Sequence, residues 1–359
     1  MTTLRKKIII LSPYPFGSAP SQRFRYEQYL DYLESNGFII ELKPFLNQKA
    51  WDILYQRGKY LKKVMIMLQS FILRFFLIPK LRRYDYVFVH REMAHFGPPV
   101  FELIAAKIFG VKYIYDFDDA IWLPNYSDSN AKIHWIKCYW KVPFCIKWAD
   151  KVTVGNDYLA AYAGKYNKNV MVIPTTIDTK NYHFKNSSVQ NDKITIGWTG
   201  TITTMGYLDV LVPVIEKLER EFEFDFVVIS NRAPAFQLKS LQFIEWNKDT
   251  EIADLSRLDI GLMPLIEDKW SSGKCGFKAL QYMSLGIPCV ASPVGVNVKI
   301  IQNGVNGILA TTQEDYYLAL KSLLQNGTLR AELGNQGKVT VNDYYSVEAN
   351  KRNYLSLFN

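Results

Sequence analysis

The chain has 359 residues, of which 48% are hydrophobic and 14% aromatic, and a formal net charge of +9. That length exceeds one ordinary domain and suits two, and the apolar content excludes a disordered chain. Four cysteines without a C-x-x-C pair, with four scattered histidines, exclude a disulfide framework or a zinc ribbon and point to a reducing cytoplasm. Basic residues precede a short apolar run at 8–11, too short for a signal-peptide core, which reads as the first strand. From there β-branched apolar runs alternate with helical patterns, the sign of βαβ units and parallel sheets. Strands are predicted at 7–12, 38–45, 84–90, 112–116, 151–155 and 170–174 in the first half. In the second half they fall at 194–200, 224–230, 243–246, 260–265, 287–292 and 307–310. Six and six predict an α/β protein of two Rossmann-like domains. The polar stretch 183–193, with Asn186-Ser187-Ser188, reads as the linker. The expected division is 1–185, 186–342 and a helical tail over 343–359.

The positive charge is concentrated. Between 57 and 83 stand Arg57, Lys59, Lys62, Lys63, Arg74, Lys80, Arg82 and Arg83, with no acid among them. Such a run implies a local anionic partner. A helix over 59–76 gathers Leu61, Val64, Met65, Met67, Leu68, Phe71, Ile72, Phe75 and Phe76 on one side, and Lys59, Lys62, Lys63, Gln69, Ser70 and Arg74 on the other. Gln69, Arg74 and the length argue against a spanning helix, which needs about 20 apolar residues. A helix lying in the plane of an anionic membrane surface fits better, with Lys59, Lys62, Lys63 and Arg74 on the headgroups and Phe71 and Phe75 inserted. The alternative is a domain helix whose apolar face packs on the sheet. The Leu, Met and Phe face speaks against nucleic acid as the partner.

Ligands of open parallel sheets lie at the carboxyl ends of the strands, and the unusual residues stand there. The first strand runs into Ser12-Pro13-Tyr14-Pro15-Phe16-Gly17, a glycine loop flanked by Arg23 and Arg25, while Ser21 reads as an N-cap. The third ends in His90-Arg91-Glu92, where Arg91 and Glu92 are able to pair with each other, and the fourth in Asp116-Phe117-Asp118-Asp119. Asp116 and Asp118 have the spacing of a metal-binding Asp-x-Asp. Two other readings put Asp118 or Asp119 on a reacting substrate, or make Asp119 a helix N-cap before Ala120. In the second half Gly197-Trp198-Thr199-Gly200-Thr201 forms a glycine turn ahead of a helix expected near Met205. No Gly-x-Gly-x-x-Gly follows a strand, which argues against a nicotinamide-dependent dehydrogenase.

The most informative stretch is 271–296, SSGKCGFKALQYMSLGIPCVASPVGV. Gly273 and Gly276 permit close backbone approach, a helix is predicted over 277–285, and Gly286 ends it. Amides at such a helix start suit an anion. Lys274 and Lys278, spaced i, i+4, share a face if the helix begins this early, and two cations beside open amides suit a diphosphate.

This stretch resembles the donor-sugar motif of retaining nucleotide-sugar glycosyltransferases with the GT-B fold, in particular the group-1 family. Gln281, Met283, Gly286, Pro288 and Ala291-Ser292 fall on the family's frame, and the run Gly273 to Met283 fits a subgroup with Gly-Lys-x-x-x-Lys-x-x-Gln-Tyr-Met. The family's paired glutamates are replaced by Gly273 and Gln281, a departure that leaves a non-catalytic assembly scaffold as an alternative. Val172-Ile173-Pro174-Thr175-Thr176-Ile177-Asp178 resembles the family's domain junction. The resemblance implies two domains facing across a cleft, with a tail helix crossing back to the first. It implies sugar transfer from a nucleotide diphosphate sugar to a lipid-linked or growing glycan acceptor, retaining and without a cofactor or metal; the basic segment and the cysteines would place it on the cytoplasmic face of a membrane. Gly200, Thr201, Lys274, Gly276, Phe277 and Gln281 would hold the donor, Gln281 at the ribose. Asp118, Asp119 and Lys278 would serve catalysis, and Gly17, Arg23, Arg25, Arg91 and Glu92 the acceptor side.

Overall fold

The computed structural model describes residues 5–54, 58–124, 134–184 and 192–359. Two compact units result: Met1–Pro174 with Lys351–Asn359, and Thr175–Asn350. The chain thus passes from one unit to the other at Pro174, ahead of the polar stretch expected to be the linker, most of which, like Arg57, lies outside the described residues.

Unit 1 is built on six parallel strands: β1 (Lys6–Ser12), β2 (Phe38–Pro44), β3 (Tyr86–His90), β4 (Tyr113–Phe117), β5 (Lys151–Val154) and β6 (Val170–Val172). Their order is β2-β1-β3-β4-β5-β6. Ile8, Ile9, Ile10 and Leu11 are all buried, as expected of a parallel strand covered on both faces. The order reverses between β1 and β3, so the loops after these strands flank the switch point, where doubly wound sheets leave a crevice. The chain's last residues complete this core. Tyr354 stacks on Tyr29 at 4.2 Å, Phe358 packs on Phe38 and Tyr86, and Lys151 Nζ donates to the Leu357 carbonyl at 3.0 Å.

Unit 2 carries β7 (Thr195–Gly200), β8 (Asp225–Ser230), β9 (Leu241–Glu245), β10 (Ile260–Met263), β11 (Cys289–Ala291) and β12 (Ile308–Leu309). They are parallel, in the order β12-β11-β10-β7-β8-β9. Its core gathers Ile196, Trp198, Leu211, Ile215, Phe226, Leu262 and Leu320. Here the switch point lies between β7 and β10. The expected α/β architecture of two six-stranded units is the observed one.

The Tyr60–Leu77 helix of unit 1 departs from the usual rule. Ser70 and Arg74 are buried, whereas Leu61, Met65, Leu68, Phe75 and Phe76 are each more than half exposed. The inward stripe is mixed: Ser70 and Arg74 stand among the half-buried Ile66, Met67, Phe71 and Leu77. Arg74 donates to the Lys43 carbonyl at 3.0 Å and stands over the Phe45 ring, and burial pushes its guanidinium down to about 10 against the opposing pull of Glu102. Phe71 also turns inward, edge-on to Phe45 at 5.1 Å. Arg74 and Phe71, expected at a membrane, instead fasten the helix to its own unit. Lys59 and Lys62 remain exposed, Lys63 partly so. With its 3-10 extension to Arg83 the helix is long and apolar enough to cross a bilayer. Arg74 fastens it to its own unit at Lys43 and Phe45.

Candidate functional site

In unit 2 the chain leaves β7 through Gly200 and reaches a capped turn at once. Thr201 caps the Ile202–Met205 helix in a capping box with Thr204, so this helix starts ahead of the expected Met205 and is a single turn. Asn231, at the end of β8, accepts from the Ile202 amide at 2.9 Å. A Cβ on Gly200 would lie 2.4 Å from the Trp198 ring, and one on Gly197 2.2 Å from Leu258. Both glycines are thus required by packing inside the unit.

The loop after β10 forms the other wall. Asp268 caps the Lys269–Ser272 helix by accepting from the Ser271 amide at 2.6 Å. Gly276 then turns with φ +71°, and the Phe277–Ser284 helix begins directly after it. A Cβ at Gly276 would come 2.2 Å from Ile300 Cδ1, so conformation and space both demand glycine. Because the helix starts at Phe277, Lys274 precedes it and shares no helical face with Lys278. Aromatic platforms bring the two lysines to the site instead: Lys274 Nζ lies 4.9 Å from the Trp270 ring centre and Lys278 Nζ 5.1 Å from that of Trp198. Trp198 lies within the quoted glycine turn and Trp270 just before the quoted stretch; the meeting of Trp198 with Lys278, far along the chain, has no local signal in the sequence.

The far end of this helix is a Schellman turn, with the Gly286 amide donating to the Met283 carbonyl and the Ile287 amide to that of Tyr282, both at 3.0 Å. The Tyr282 hydroxyl accepts from the Thr199 amide at 2.9 Å, which ties the helix to the end of β7. Gln281, expected to face a ribose, is buried; its Nε2 lies 3.4 Å from both Glu251 Oε1 and His183 Nε2. In this structure it belongs to a closed polar cluster. His183 and Glu251 stand far from it in sequence, so no local motif marked them. Phe277 is half-buried at the helix start, and Thr201 is exposed.

In unit 1 the loop after β1 is fastened from within. The Gly17 amide, at φ +75°, donates to Glu27 Oε2 at 2.9 Å, and Gln22 bonds Tyr14 through both its amide atoms. Arg25, expected on the acceptor side, is buried; it forms an ion pair with Asp116 and donates to the Ile173 carbonyl. His90 Nδ1 and Thr153 Oγ1 reach the same carboxylate at 2.8 and 2.5 Å. Burial opposes ionisation of Asp116, but Arg25 and His90 outweigh it and hold the carboxyl well below its ordinary range. Asp116 is therefore a core ion-pair partner, with no face open to a metal. Arg23 is also buried, its guanidinium 4.8 Å from the Phe24 ring centre.

Arg91, Asp118 and Asp119 do come together at the switch point. Arg91 sits at φ +61°, an uncommon conformation for a side-chain-bearing residue. Its guanidinium bonds Asp118 Oδ1 at 2.6 and 2.8 Å and Asp119 Oδ2 at 2.7 Å, all partly exposed. Burial alone would lower the guanidinium, yet the two carboxylates outweigh it and raise it above its ordinary range. Asp119 is paired with Arg91, and no helix follows Ala120 among the described residues. Arg91 and Glu92 do not pair with each other. Glu92 turns to Lys141 at 2.8 Å and His95 at 2.9 Å. Burial works against its charge, but Lys141 and His95 keep the carboxyl below the usual range. Its role in this geometry is to hold the loop after β3. Among the described residues no three His, Cys, Asp or Glu side chains are grouped to hold a metal ion.

Residues 193–326 match the family model of group 1 glycosyl transferases. No curated protein matches the chain in sequence. Among solved structures, sucrose-phosphate synthase from Thermosynechococcus elongatus is similar over 99% of this chain and 98% of its own, at 14% identity and a TM-score of 0.72. A glycosyltransferase from Rickettsia africae follows over 98% of each chain, at 15% identity and a TM-score of 0.68. Anabaena HepE, solved with UDP and glucose, covers 98% of this chain and 99% of its own, at 13% identity and a TM-score of 0.65. The fold is that of GT-B glycosyltransferases, and the domain match lies within unit 2.

Proposed function

We propose that this chain is a glycosyltransferase that moves a sugar from a nucleotide diphosphate sugar to a lipid-linked or growing surface-glycan acceptor, at the cytoplasmic face of a membrane. The observation that carries the donor assignment is the pair Lys274 and Lys278, each seated on a tryptophan beside the start of the Phe277–Ser284 helix at the switch point of unit 2. HepE, similar in fold, was solved with UDP and glucose.

In the reaction the bond from the anomeric carbon to the diphosphate breaks and a bond to the acceptor oxygen forms on the same face. Because attack and departure share one face, configuration is retained; the acceptor proton passes to an oxygen of the departing diphosphate, whose charge the two lysines would neutralise without a metal. Negative charge grows on the diphosphate as the sugar becomes oxocarbenium-like. Lys274, Lys278 and the helix-start amides are placed to stabilise that charge. In unit 1 the Arg91–Asp118–Asp119 cluster, polar and partly exposed, is the group suited to orient an acceptor hydroxyl.

Membrane attachment is supported by the exposed apolar face of the Tyr60–Leu77 helix. An outward stripe of Leu61, Met65, Leu68, Phe75 and Phe76 is costly in water and favourable in lipid. Lys59, Lys62 and Lys63 at its start suit anionic headgroups.

A panel of nucleotide diphosphate sugars tests the donor assignment. The proper donor should raise the melting temperature and release nucleotide diphosphate, and a panel with neither effect refutes it.

A further inference from the structure

The outward helix face leads into a cavity of about 420 Å³ between the helix and the loop that follows β3. Phe71, Ile72, Phe75, Phe96, Val100 and Phe101 are among its lining residues. The size falls in the range of small-molecule sites, roughly 300–1,000 Å³, but a wall of this composition offers a ligand almost nothing polar. Its natural occupant is a hydrocarbon chain.

The wall is held from behind. The Met93 amide donates to Glu102 at 2.9 Å, Lys141 Nζ to the Ala94 carbonyl at 3.1 Å, and the Gly97 amide to the Ile136 carbonyl at 2.8 Å. Phe71 and Phe101 stack at 5.9 Å. The same loop begins at Arg91, which binds Asp118 and Asp119. One loop therefore runs from the polar cluster after β3 to the aromatic wall of the cavity.

We propose that this cavity seats the hydrocarbon tail of the acceptor lipid, so that the loop after β3 reads tail and reacting head together. The proposal rests on the lipid-linked acceptor reading and adds a site to it. The occupant follows from the page: the cavity opens beside a helix face that is apolar and exposed, the segment carries cations and no acid, and the cavity is continuous with the loop that carries the polar cluster. A tail serving only to anchor the protein would need no such continuity.

The test uses butyl phosphate and dodecyl phosphate, both below their micelle concentrations, with binding followed calorimetrically. Dodecyl phosphate should bind wild type at least tenfold more tightly than butyl phosphate. Ile72→Trp and Val100→Trp, made separately, fill the cavity while leaving the outer face apolar. Each should lose the chain-length preference yet still sediment with phosphatidylglycerol vesicles and melt as wild type does. Equal affinity of wild type for both phosphates overturns the proposal, as does a preference that survives in a folded, filled variant. If filling abolishes vesicle binding as well, the cavity serves the bilayer's own lipid and the acceptor assignment falls. Wild type that ignores vesicles but keeps the chain-length preference refutes membrane attachment and leaves the cavity assignment standing.

Discussion

Replacing Leu61, Met65 and Leu68 together with glutamine tests the exposed apolar helix face most directly. These side chains are 82%, 67% and 58% exposed and lie outside the aromatic cavity. Glutamine keeps a helix propensity close to theirs, so the helix itself is not penalised. Full burial of such a side chain is worth roughly 1.5–3 kcal/mol. With between about half and four-fifths of each still in water, insertion into lipid would recover about 1 kcal/mol or more apiece, or about 3 kcal/mol for the three. At about 1.4 kcal/mol per tenfold, vesicle partitioning should fall on the order of 100-fold. Folding should hardly respond, because exposed substitutions usually change stability by less than about 0.5 kcal/mol each. The assay is co-sedimentation with phosphatidylglycerol vesicles at low salt, beside a thermal melt. Unchanged partitioning would refute membrane insertion of this face, and a variant that unfolds would show that the face is buried after all.

Lys59, Lys62 and Lys63 replaced together by glutamine should weaken vesicle binding at low salt by about 1 kcal/mol per charge, with the difference vanishing at high salt; Arg74 is left intact because it is structural. Lys278→Ala should cost about 2.7–4 kcal/mol in kcat, by analogy with loss of an oxyanion donor, without a comparable loss of folding stability; turnover within twofold of wild type would remove the lysine from catalysis. Arg25→Ala should destabilise by about 3–5 kcal/mol in a denaturant titration, because it strands the buried Asp116 carboxylate, whereas an acceptor-binding arginine would change KM alone. The folded Asp116 carboxyl is lowered, so its contribution is present above the ordinary value of 3.8 and is lost as pH falls through the folded value; acid unfolding of Arg25→Ala should lack that component. Turnover should survive EDTA, and loss that magnesium or manganese reverses would restore the metal-dependent reading.

Much of this protein was already legible in its sequence. The runs at 8–11, 260–263 and 289–291 forecast strands because a parallel strand covered on both faces has to be apolar throughout, as these are. Gly276 and Gly286 marked the ends of the helix between them because only glycine takes a positive φ there without strain. Tertiary structure alone decided which polar residue stands beside solvent. Asp116 and Asp118 look alike in the sequence, yet Arg25, brought from far along the chain, closes over Asp116, while Arg91 holds Asp118 beside solvent. Gln281 fits the donor frame, but Glu251 and His183 take it into a buried cluster. The helix over 60–77 shows the same division of labour. Its amphipathic pattern is local and could be read, but a pattern cannot tell a protein core from a lipid surface. Lys43 and Phe45, at the end of β2, gave Arg74 a partner and drew it inward, and Leu61, Met65, Leu68, Phe75 and Phe76 were left facing out.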